Sequence, residues 1–230
     1  MKLILYFLLS SYGAVICAAS YEDRLLPLHS ACAAGHTMLV NKLAYDGINI
    51  NAPERLFQDT ALHVAIEHKQ ERVASLLLNL GSNINAQNVF GMTPLFCAIN
   101  QELDTVVTML LAKGVDLTLT LPDGRSALHY AVQKGFFPIV FLLIDAGSVC
   151  AAKDKSNKTP LDYCKDSTSV CFFLGKMWQK DQFWQTIETS LLWRQTIMYG
   201  NHDNDPRMTE INRYVSCRLR DDIIGPWHNN

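Results

Sequence analysis

The hexamer SALHYA (Ser126–Ala131) sets a histidine directly after an alanine–leucine pair. A histidine can serve as a general base, a metal ligand or a packed core residue, and six residues do not decide between these. Recurrence does. LPLHSA (Leu26–Ala31), TALHVA (Thr60–Ala65), TPLFCA (Thr93–Ala98), SALHYA and TPLDYC (Thr159–Cys164) share one pattern. Their central leucines, Leu28, Leu62, Leu95, Leu128 and Leu161, fall at nearly even steps along the chain. A fixed period of this kind marks a chain built from stacked units.

Working outward, each of the first four hexamers precedes a second apolar run: MLVNKLAYDG, RVASLLLNLG, TVVTMLLAKG and PIVFLLIDAG. These runs end at Gly47, Gly81, Gly114 and Gly147, which suit the left-handed backbone just past a helix end. NINA follows at Asn49–Ala52 and Asn83–Ala86. Gly91 and Gly124 precede two of the hexamers and suit tight turns. Thr60, Thr93, Ser126 and Thr159 stand where a side-chain oxygen accepts a first-turn amide. Pro94 and Pro160 fall at the first helical position, where no donor is needed. Leu26 takes the cap place in the first unit, which makes that end the least regular.

These residues resemble the ankyrin repeat, with its T-P-L-H-x-A hexamer and its period of about 33 residues. The resemblance covers about residues 24–175. It implies an all-α solenoid of helix–turn–helix units with protruding turns. The units fall at about 21–54, 55–87, 88–120, 121–153 and 154–175, in a repeat domain of residues 20–175. The fifth unit reads as a closing cap with a first helix (TPLDYCKD) and a shortened second. The resemblance gives His63 and His129 a structural role, bonding to the adjoining hexamer and turn. His29, His63 and His129 share one slot with Phe96 and Asp162. A catalytic group would not recur at every step and be replaced freely.

Composition agrees with a folded chain that has a sizeable core. Hydrophobic residues make up 49% and charged residues 18%, with a net charge of −2, so nothing global attracts nucleic acid. Cys32, Cys97 and Cys164 fall where small apolar residues belong in helices. Six cysteines after residue 19 also permit disulfides. No C-x-x-C or Cys/His spacing suggests zinc, and no metal or cofactor is expected.

The first 19 residues read as a signal peptide: Lys2, an apolar run from Leu3 to Leu9, then Cys17 and Ala19 at the −3 and −1 positions of a cleavage site. An uncleaved anchor and a fortuitous apolar start are the alternatives. A spanning helix needs about 20 predominantly apolar residues, and Ser10 to Gly13 interrupt this run. The expected product is secreted or periplasmic, without a membrane span. It resembles exported bacterial ankyrin-repeat proteins, some of which are delivered into host cells.

Residues 176–230 hold all four tryptophans, Trp178, Trp184, Trp193 and Trp227. The spacing predicts a helical hairpin with helices near Met177–Tyr199 and after Pro206. It would cover the end of the solenoid, or else touch a partner or membrane. Cys217 and His202 are the conspicuous candidates for an enzymatic alternative there, and no motif links them.

Solenoids bind along an extended concave surface. The resemblance implies contacts from turn tips and from the exposed face of each first helix. The tips are Leu56, Phe57 and Asp59; Val89, Phe90 and Met92; Pro122, Asp123 and Arg125; and Lys155, Ser156 and Lys158. The helix positions are Val64, Glu67 and His68; Cys97, Asn100 and Gln101; and Tyr130, Gln133 and Lys134. Phe57 and Phe90 either offer aromatic surface to a partner or pack on one another within the chain. The expectation is a monomeric, non-enzymatic module that binds a protein partner, with Phe57, Phe90, Arg125 and Tyr130 at the centre of the strip.

Overall fold

The computed structural model describes residues 25–165 and Phe173. The expected signal peptide, the second helix of unit five and the C-terminal hairpin lie outside the described residues. Among those described, the chain forms four helix pairs and a final short turn. The first pair is α1 (Leu25–Ala34) and α2 (Thr37–Tyr45). The second is α3 (Ala61–Glu67) and α4 (Glu71–Asn79), and the third α5 (Pro94–Asn100) and α6 (Asp104–Ala112). The fourth is α7 (Ala127–Lys134) and α8 (Phe137–Asp145). First helices pack on first helices and second on second, α1–α3–α5–α7 and α2–α4–α6–α8. The expected all-α solenoid is therefore present. Thr120 and Ser126 form an isolated β-bridge at the base of one turn.

The hexamer explains this stacking. Leu28, Leu62, Leu95, Leu128 and Leu161 are all buried, as are Ala31, Ala65, Ala98, Ala131 and Cys164. A small closing residue lets neighbouring helices approach closely. Cys32, Cys97, Cys150 and Cys164 are buried thiols of this core. Burial pushes the Cys32 and Cys150 thiols up to about 12, because an apolar surround disfavours the thiolate. These four are packing residues.

Three expectations need correction. Leu26 lies inside α1 and not at its cap. In unit five the first helix is a single 3-10 turn, Pro160–Tyr163, after which Cys164 returns to extended backbone. Ser126 caps as expected, and Thr60 and Thr159 form capping boxes with His63 and Asp162, but Thr93 makes no side-chain cap bond. Ser126 Oγ accepts from His129 N at a long 3.5 Å. The shorter bonds run the other way, from cap to ring. Thr60 N–H and Ser126 N–H each donate to the ring Nδ1 of the histidine in the same hexamer, at 3.2 Å. The cap hydroxyls sit 2.9 and 2.8 Å from the same nitrogens. Each hydroxyl can donate its proton to the ring nitrogen while its own lone pairs accept the amide, so the box closes in both directions.

One backbone feature recurs without a residue signature. The turn inside each helix pair passes through a left-handed residue: Gly35, Lys69, Glu102 and Gly135, with φ of 77°, 56°, 57° and 81°. The tips do the same at Gln58, Gly91, Gly124 and Asn157. Only glycine adopts this region without cost, so half of these positions carry strain.

Candidate functional site: the tip row and the inner helix face

The histidine slot is a strap between units. His29 Nε2 meets the Asp59 carbonyl at 3.1 Å, His63 Nε2 the Met92 carbonyl at 3.0 Å, and His129 Nε2 the Lys158 carbonyl at 3.1 Å. In His63 and His129 the Nδ1 accepts a backbone N–H, so the neutral Nε2–H tautomer must donate to the carbonyl. Burial lowers the His129 pKa from 6.5, partly opposed by its bond to Lys158. This is a fastener and not a base. Asp162 keeps the local half of the device, accepting Thr159 N–H at 2.7 Å, and a carboxylate has no N–H with which to strap onward. Phe96 has neither half.

The tips form a row, linked by backbone bonds on either side of its middle step. Val89 N–H donates to the Phe57 carbonyl at 2.9 Å, and Lys155 N–H to the Asp123 carbonyl at 3.0 Å. Between those two links Pro122 has no N–H to give. Asn88 Nδ2 donates to buried Asp59 Oδ1 at 2.7 Å, and Asn88 Oδ1 accepts the amides of Phe90 and Met92. On the loops that follow each second helix, the Asn51 side chain accepts Asn83 N–H at 2.7 Å and that of Asn85 accepts Asp116 N–H at 3.0 Å. The repeated NIN motif is thus an inter-unit ladder, a role the sequence pattern alone did not suggest.

The tip aromatics pack on one another, and one of them keeps exposed surface. Phe57 and Phe90 stack with centroids 5.9 Å apart and planes at 25°. Yet Phe90 stays 46% exposed, beside Val89 at 49% and Leu56 at 55%. Stacking leaves Phe90 open to solvent and Phe57 part-buried. Met92 is half-buried. Asp59, Val64 and Cys97, expected on the contact surface, are buried instead: Asp59 by its bond to Asn88, the other two by packing against the adjoining units. Glu67 and Gln101 are part-exposed, and His68 and Asn100 are exposed.

Around Tyr130 the expected residues do converge. Arg125 Nε pairs with Asp123 Oδ2 at 2.6 Å, and Arg125 Nη1 donates to the Gln133 side chain. The guanidinium carbon lies 5.7 Å, and Lys134 Nζ 5.3 Å, from the Tyr130 ring centre. Tyr130 Oη donates to Asn100 Oδ1 at 2.9 Å, and its ring meets Phe96 edge-on. Tyr163 was not singled out from the sequence, although it holds the slot of Tyr130 in the next repeat. Lys158 Nζ stands 5.6 Å over its ring, and its hydroxyl donates to Asp154 Oδ2 at 2.5 Å. Burial and that carboxylate together push the Tyr163 phenol up to about 12. An open recess between the third and fourth tips, lined by Gly91, Thr118, Leu121 and Pro122, holds a single ionisable side chain, Lys155.

A row of interlocked tips on a stack of paired helices has a counterpart among known families. The family model for ankyrin repeats, in three copies, matches residues 3–88, 28–121 and 95–181. The chain belongs to the ankyrin-repeat family. Ankyrin repeats are protein–protein interaction modules. Among curated proteins the chain is similar to B-cell lymphoma 3 protein of Homo sapiens, 33% identical over 145 residues, covering 63% of this chain and 30% of that protein. It is also similar to the B-cell lymphoma 3 protein homolog of Mus musculus, 32% identical over 118 residues, covering 51% and 26%. The chain spans less than a third of the length of these relatives. Among the described residues no helix is long and apolar enough to cross a membrane, and no group of three or more His, Cys, Asp or Glu is placed to hold a metal ion.

Proposed function

We propose that this ankyrin-repeat protein is a non-enzymatic, monomeric binding module that acts by occupying a partner protein. The strip runs from Leu56, Phe57, Val89, Phe90 and Met92 on the tips to Arg125, Tyr130, Gln133 and Lys134. The support is the half-exposed Phe57–Phe90 stack beside the Arg125–Tyr130–Lys134 cluster. Ring stacking and cation–π contact hold these side chains in place before any partner arrives, so little conformational entropy is lost on binding. Aromatic and arginine anchors are the residue types that dominate interface energies.

The module works outside the cytoplasm, secreted or periplasmic, with cleavage before Ser20; delivery into a host cell is one such route. Support for export is confined to the pattern of residues 1–19. Two experiments test the proposal. Replacing Phe57, Phe90, Arg125 and Tyr130 together with alanine should abolish capture of the partner, with the far-ultraviolet spectrum retained. Undiminished capture would place the interface elsewhere. Mass spectrometry of the product from an expressing cell should find Ser20 at its amino terminus, and an intact Met1 would refute cleavage.

A further inference from the structure

The strip is not uniform along its length. The second and third tips are apolar, through Leu56, Val89 and Phe90. The fourth and fifth carry cations. Arg125 over Tyr130 and Lys158 over Tyr163 occupy equivalent slots one repeat apart. The same pair of slots holds Asp59 and Val64 in unit two and Met92 and Cys97 in unit three. The cation–tyrosine station is therefore an addition to the fold and not a requirement of it. Lys134 reinforces the first station, and exposed Lys155 is tied to the fourth tip by its backbone N–H, which donates to the Asp123 carbonyl.

The nearby acids offset only part of this charge, since Arg125, Lys134, Lys155 and Lys158 stand against Asp123, Asp154 and Asp162. Asp154 is committed to the Tyr163 hydroxyl and to the Ser156 and Lys158 amides, at 2.5, 2.8 and 2.9 Å. Asp162 is committed to the Thr159 cap. Asp123 accepts the Nε–H and the backbone N–H of Arg125. A guanidinium has five N–H donors, and Gln133 takes one more, so three remain for a ligand. A tyrosine face under each cation holds it in place without neutralising it.

We infer that the partner segment is an extended acidic peptide with an apolar residue and two carboxylates at three-residue intervals, the apolar group on Val89 and Phe90 and the carboxylates on the Arg125–Tyr130 and Lys158–Tyr163 stations. The interval follows from geometry. Packed helices lie about 8–10 Å apart, which sets the step between stations, and an extended chain in the polyproline II conformation rises about 3.1 Å per residue and returns every third side chain to the same face. Three residues span one step. This inference rests on the binding-module proposal and names the chemistry of its partner.

The test uses the full chain and fluorescein-labelled dodecapeptides carrying one leucine and two glutamates. One set has three-residue intervals in both chain directions, a second has the glutamates adjacent, and a third has lysine in place of glutamate. The spaced peptide in one direction should bind at least ten-fold tighter than either control, and R125E together with K158E should remove that preference. The thermal transition of the double variant serves as the folding control. Equal binding of all peptides would overturn the inference. So would tighter binding of double-stranded DNA or phosphatidylserine vesicles that the same variant abolishes. A chain that binds no peptide yet still captures its partner through the four-residue strip refutes the acidic assignment alone.

Discussion

Phe96 and Tyr130 meet edge to face, with centroids 5.9 Å apart and planes at 70°, across the junction between the third and fourth units. The other three junctions are strapped there by a histidine bonded to the next unit's tip. Pro122 removes a second strap at the same seam, because it has no N–H where Val89 and Lys155 donate to the preceding tip. This junction is held by ring contact, apolar packing and the Tyr130–Asn100 bond. In a linear array, stability is a sum over units and their interfaces, so the seam is where the stack should part. Tyr130→Ala should cost about 2 kcal/mol, from one aromatic edge contact and one hydrogen bond. In its native-state hydrogen exchange the amides of α3 and α5 should open with a different free energy from those of α7. One shared value on both sides would show the seam to be no weaker than its neighbours.

The left-handed turns separate two kinds of cost. Lys69 and Glu102 adopt φ of 56° and 57°, where Gly35 and Gly135 stand in the other units. Lys69→Gly and Glu102→Gly should each stabilise the fold by up to about 1 kcal/mol, since relief of strain outweighs the greater freedom of the unfolded chain. Urea midpoints that fall for both variants would contradict this.

Gly124 and Gly114 make a controlled pair. Both have positive φ, 83° and 76°. A Cβ on Gly114 meets nothing within 4 Å, whereas one on Gly124 would lie 2.8 Å from the Lys155 amide nitrogen. Backbone cannot swing aside as a side chain can. Gly114→Ala should therefore cost about 1 kcal/mol, from conformation alone. Gly124→Ala should cost about 2–4 kcal/mol, adding the loss of the Lys155-to-Asp123 bond. Equal losses would mean that the tip moves freely.

The His129 strap predicts a pH dependence of definite sign. Burial, the largest influence, sets its folded pKa below the ordinary 6.5. The unfolded chain therefore takes up the proton first as pH falls. The strap's stability is present in full above 6.5 and is lost as pH drops through that value toward the folded pKa. Urea midpoints should be flat above about pH 7 and decline below about pH 6.5. His129→Phe should cost about 1–3 kcal/mol at neutral pH by stranding the Lys158 carbonyl, and should flatten part of that decline. An unchanged slope in the variant would show that other groups carry it.

The regular part of this protein was legible from residue types alone. A leucine and a small closing residue in every repeat, with a cap in all but the first, can be satisfied only by helices that stack on copies of themselves, because one pair has no second face on which to bury its apolar side. Where a slot has one solution, the sequence states it: Leu62, Ala65 and Leu128 could be placed in the core before any coordinates. Slots with more than one solution were not legible. Val64, Cys97 and Tyr130 share a position, yet two are buried and one is half-exposed. The difference lies in what the next unit sets beside each. Tyr163 went unnoticed because a tyrosine in a closing turn resembles any other until Lys158 is seen above its ring. Likewise nothing in Phe96 or Pro122 read alone marks a seam. Each is an acceptable residue in its own unit, and what it lacks is a bond to the neighbouring one. Repetition along the chain determined the fold and the phase of every unit. Only the tertiary structure decided which side chains reach across, because that depends on distances between residues a whole repeat apart, which the order of amino acids does not display.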